Sequence, residues 1–69
     1  MTQKELLYVE DAIGHEGVII KVLTETLNYL EDPNLISFME KELKLHEDFR
    51  ENLIKSLEGY TNEWSNVDG

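Results

Sequence analysis

Sixty-nine residues make one domain at most, and a chain of that length buries too little apolar surface to be comfortably stable without a staple or a partner. There is no cysteine, which excludes disulfides and thiolate metal sites and leaves oligomerisation, a hard-ligand metal, or both. Fifteen acidic against six basic side chains give a formal net charge of −9 and no basic stripe, so neither nucleic acid nor an anionic membrane surface is an expected partner.

The first residues do not read as a secretory signal, because Lys4 and Glu5 precede only short apolar runs. The longest strictly aliphatic run, Val18-Ile19-Ile20, is far too short to span a bilayer. The expected location is the cytoplasm, a reducing compartment with which the lack of cysteine agrees. The acidic surplus reads first as a solvated surface and second as a face for a basic partner.

A first helix is predicted over about residues 3–31. Thr2 and Glu5 stand at capping-box spacing at its start. Leu6, Val9, Ile13, Ile20, Leu23, Leu27 and Leu30 then recur at alternating steps of three and four, the inward positions of a heptad. The step between Ile13 and Ile20 lands on Glu16, a charge in an otherwise apolar stripe. Gly14 and Gly17 flank His15-Glu16 and each costs a helix about 1 kcal/mol against alanine. They leave room either for close helix approach or for a ligand or water.

Pro33 is the single proline. Asp32 is a good N-cap before it, and proline is favoured at the first helical position, where its missing N–H costs nothing. The residue before a proline is pushed out of the helical region, so the turn is placed at about residue 32 and a second helix over about 33–58. Two helices joined so tightly run antiparallel. Gly59 is the expected terminator, which leaves a hairpin domain over 1–59 and a polar tail over 60–69. In that tail Trp64 reads as a cover for the end of the bundle or as a dock for a protein partner.

On the second helix the same spacing picks out Leu35, Met39, Glu42, His46, Phe49, Leu53 and Ser56, with Ile36, Leu43 and Leu57 widening the stripe. That stripe is broader than one partner helix covers, which predicts that two hairpins associate as a homodimeric four-helix bundle. If Leu30 and Leu35 face each other across the turn, paired numbers sum to about 65. Ile20 then faces His46 and Glu16 faces Phe49, with Glu16 and His46 within about one turn.

A lone buried charge there would cost several kcal/mol, so Glu16 and His46 call for a partner. Mutual hydrogen bonding is one answer and a metal is the other, since carboxylate and imidazole donors suit iron, manganese or zinc. The candidate metal-ligating residues are Glu16, His46 and Glu42, contributed by two chains. Each has a plainer reading: Glu16 at the bundle margin, His46 as a satisfied core histidine, and Glu42 displaced to the flank by Leu43. His15 falls on the outward side, and Glu47 and Asp48 read as part of the solvated face. No serine has a histidine at usable helical spacing, and no glycine loop is built to cradle phosphate, so nothing points to nucleophilic catalysis or phosphate chemistry.

Glu10-Asp11, His15-Glu16, the turn Asp32-Pro33-Asn34-Leu35 and the stretch from Phe38 to Phe49 together resemble half of a ferritin-like, rubrerythrin-type bundle. More closely they resemble the short ferritin-like spore coat proteins of spore-forming bacteria, over roughly residues 3–58. The resemblance implies an all-α hairpin that dimerises into a ferritin-like bundle, with a spore-associated location. In the wider family an inward Glu on one helix and Glu-x-x-His on the next build a di-metal site. Here the Glu of that motif falls on His46 and the His on Phe49, so the di-metal motif is broken. The expectation is therefore a non-enzymatic structural or interaction protein. The alternatives are a metal-binding or redox bundle, and an acidic hairpin assembled only with another protein.

Overall fold

The computed structural model describes residues 1–68, with side chains as far as Tyr60. It contains two helices, α1 over Gln3–Leu27 and α2 over Pro33–Asp68, and no strand among the described residues. Ile13 meets Arg50 while Glu16 meets His46, so numbers rise on one helix as they fall on the other. The fold is an antiparallel helical hairpin.

Helix α1 begins where its sequence says it should. Thr2 Oγ1 accepts from the Glu5 amide at 3.1 Å, and Glu5 Oε1 accepts from the Thr2 amide at 2.8 Å, closing the capping box. It ends earlier than the expected residue 31. The amides of Asn28 and Tyr29 bond three residues back, to the carbonyls of Glu25 and Thr26. That tightening of the last turn winds the helix down several residues before Pro33 exerts any constraint. Thr24 and Thr26 bond back to the Ile20 and Val22 carbonyls, a competing use of backbone acceptors in the same turns.

The start of α2 follows the Asp-Pro reading. Asp32 Oδ1 accepts from the amides of Asn34 at 2.8 Å and Leu35 at 3.4 Å, and Pro33 takes the first helical position. The expected stop at Gly59 does not occur, and α2 runs on to Asp68. No described glycine has a positive φ, so Gly59 keeps right-handed helical backbone and makes no left-handed cap. The tail predicted for 60–69 is thus replaced as far as Asp68 by helix. The Trp64 side chain lies outside the described residues.

The inward set of α1 is the one its periodicity gives: Leu6, Val9, Ile13, Ile20, Leu23, Leu27 and Leu30 are half-buried and Glu16 is buried. On α2 the set is displaced by one residue for half its length. Ile36, Met39, Leu43, His46, Arg50, Leu53, Leu57 and Tyr60 are half-buried, whereas Leu35, Phe49 and Ser56 are exposed. Phe49 was expected to face Glu16 and is instead 51% exposed, with Arg50 turned inward beside it. The cause is a helix with two adjacent apolar stripes, of which α1 covers only one. No hydrophobic side chain is fully buried among the described residues.

Candidate functional site

Among the described residues one is buried, and it is charged: Glu16 retains 8% of its accessible surface. It sits mid-way along α1 between Ile13 and Ile20, where helical spacing turns it toward α2. His46 Nδ1 hydrogen-bonds Glu16 Oε2. An ionised carboxylate only accepts, so in that form of the pair Nδ1 carries the proton and donates. The expected register, Ile20 opposite His46, is therefore corrected by about one helical turn. The early end of α1 lengthens the connection between the helices, so Leu30 and Leu35 no longer set the pairing.

A second polar side chain enters the same stretch. Arg50 Nε donates to the Ile13 carbonyl at 3.3 Å. A Cβ added at Gly17 would lie 3.6 Å from that nitrogen, so the space beside Gly17 is taken by the Arg50 side chain. Around Gly14 the space within the hairpin is open, so Gly14 does not serve the approach of α2 to α1. Sequence reasoning misses Arg50 because a charged side chain close to Glu47 and Asp48 reads as part of the solvated face. The signal that finds it is the seven-residue series Ile36, Leu43, Arg50, Leu57, all inward.

The three metal-ligand candidates are not gathered equally. Glu16 and His46 are in direct contact. Glu42 is half-buried, one turn before His46 on α2. Among the described residues no three His, Asp or Glu side chains of one chain converge as a metal-ligand set. His15 is exposed, on the outward side where its spacing puts it. Among the described residues no buried side-chain polar atom lacks a partner, so the pair is satisfied as it stands.

Chemically, the arrangement holds a proton between a carboxylate and an imidazole and leaves His46 Nε2 as the free ring nitrogen. Among the described residues no helix is long and apolar enough to cross a membrane. Comparison with protein-family models, with curated proteins and with solved structures finds no match to this chain.

Proposed function

We propose that this chain is a non-enzymatic structural or interaction module that works as a homodimeric four-helix bundle, of the ferritin-like, spore-coat-like type its turn and inward Glu–His pair resemble. The observation that carries the reading is the lack of any fully buried hydrophobic side chain among the described residues, where Leu7, Val18, Phe38, Leu45 and Phe49 are all more than half exposed. Apolar surface on that scale in a chain without disulfides calls for a second layer of helices. The Glu16–His46 hydrogen bond supports the same reading, because a paired polar group inside a bundle selects register without any chemistry being done.

Light scattering on the intact chain tests this. A folded species of twice the 8.1 kDa chain mass is expected. A helical particle of single-chain mass at all concentrations would refute it.

A second reading is favoured by one detail of the pair. Metal-bound histidines usually donate their other ring N–H to a carboxylate, which is the relation of His46 to Glu16. In this reading Glu16 orients His46, and Nε2 of His46 with Glu42, from each of two chains, would hold one divalent ion such as zinc, manganese or iron. Among the described residues, one chain alone does not supply the donors. Stoichiometric metal in protein prepared without chelator, lost in His46→Ala, would replace the structural reading with this one.

A further inference from the structure

Each helix repeats an inward pair every seven residues: Ile13 with Glu16 and Ile20 with Leu23 on α1, Leu43 with His46 and Arg50 with Leu53 on α2. When two helices run antiparallel, the residues just before either member of such a pair project to one side of the hairpin on both helices. The residues just after either member project to the other side. The two sides of this hairpin are chemically unlike. On the side of the preceding residues lie Tyr8, Ile19 and Val22 from α1 and Phe38, Leu45 and Phe49 from α2, at least half of their number strongly exposed. The opposite side carries Glu10, Glu40, Glu47, Glu51 and Glu58 against Lys21 and Lys44, all exposed, with Leu7 as its exposed apolar residue.

The charge distribution says what covers the apolar side. Two chains of formal charge −9 repel through their acidic sides and approach at least cost through the side nearly free of charge. The face is also large enough. A helix of 25 residues is about 37 Å long. Across the 16 Å width of the hairpin that gives roughly 600 Å² of projected face, close to the ~800 Å² per partner of a standard specific interface. Along the middle of the face the charged exception is Glu42, with His15 the other titratable group near it.

We propose that a second copy of this chain docks on the face formed by Tyr8, Ile19, Val22, Phe38, Leu45 and Phe49, and that Glu42 in the middle of that face limits how tightly the copies hold. The proposal rests on the homodimer reading above and adds the surface and its affinity-setting residue. A carboxylate pressed against an apolar partner surface loses water that the aliphatic and phenyl side chains facing it do not replace, so Glu42 opposes association. The Glu16–His46 pair lies beneath this face, flanked in sequence by Ala12 and Ile19 on α1 and by Glu42 and Phe49 on α2, and docking would complete its burial.

Sedimentation of the intact chain over a concentration series measures the dimer constant. Glu42→Leu should lower Kd about tenfold, while Glu47→Leu on the acidic side should leave it within about twofold. Phe38→Glu with Phe49→Glu should raise Kd at least about a hundredfold. Both single variants replace side chains outside the inward set of the hairpin, so they decide the matter even where the double variant fails to fold. If Glu42→Leu does not tighten the dimer, or Glu47→Leu tightens it equally, this surface is the wrong one while the homodimer stands. A wild-type chain that stays a folded monomer throughout removes the homodimer itself.

Discussion

The two helices of the hairpin use the same alphabet and differ in how many faces they offer. Along α1 the inward stripe is single-valued: steps of three and four from Leu6 to Leu27 pass through one charge, Glu16, and every member is at least half-buried. Along α2 two apolar stripes lie side by side. One runs through Ile36, Leu43 and Leu57, the other through Leu35, Phe38, Leu45 and Phe49, and the hairpin covers only the first. A helix with one stripe declares its partner, and a helix with two declares that it has more than one. The exposed second stripe of α2, with Tyr8, Ile19 and Val22 of α1 beside it, is the surface that the dimer proposal covers.

The sharpest break of that comparison is at the charged pair the two inward stripes share. Glu16→Ala leaves His46 half-buried without its carboxylate, and His46→Ala leaves the buried Glu16 charge unpaired. Each should destabilise the fold by about 1–3 kcal/mol in urea unfolding at fixed protein concentration, the His46 change the more severe because Glu16 is the deeper charge. The double variant Glu16→Leu with His46→Leu should recover most of that loss, since a buried pair replaced by apolar groups is often neutral or better. A loss in the double variant equal to the sum of the two single losses would show that the pair contributes nothing through its mutual bond.

How much of this was readable in the sequence follows from the same contrast. Local chemistry read well: Thr2 with Glu5 capped α1, and Asp32-Pro33 opened α2, because each signal acts within four residues. The contact of Glu16 with His46 was also within reach, since both interrupt apolar stripes near the middle of their helices. What did not read was the phase of α2 and the register. Choosing Phe49 over Arg50 for the inside follows hydrophobicity, but the arginine stem can pack while its guanidinium reaches the Ile13 carbonyl. Nor does Gly59 end a helix by itself. The left-handed backbone that a glycine cap needs is a tertiary outcome, and here the residue stays right-handed.

Smaller changes sharpen the account of single positions. Gly14 lies in open space with helical backbone, so Gly14→Ala should stabilise the fold by about 1 kcal/mol in thermal or urea unfolding. Gly17→Ala meets Arg50 Nε at 3.6 Å, an ordinary contact, and should gain less than Gly14→Ala. A loss of stability at Gly14 instead would mean that a partner surface occupies the space beside it. At the turn, Asp32→Ala removes the acceptor for two amides of α2 and should cost about 1 kcal/mol, measured the same way.

The smallest effect belongs to the start of α1 and depends on pH. The hydrogen bond from the Thr2 amide holds the Glu5 carboxyl below its ordinary value of 4.5. A carboxyl whose pKa is lower in the folded chain binds its proton more weakly there than in the unfolded chain. Its contribution to stability is therefore present in full above about pH 4.5 and fades as pH falls through the lower folded value. Because the group is fully exposed, the loss should show as fraying of the first turn rather than as global unfolding. Amide exchange at Leu6, whose N–H bonds the Thr2 carbonyl at 2.9 Å, should gain an acid-dependent component below that pH in the wild type. Glu5→Gln should carry no such component, since its side chain still accepts from the Thr2 amide but has no proton to take up. An unchanged acid limb in Glu5→Gln would assign the fraying to another carboxylate of this acidic chain.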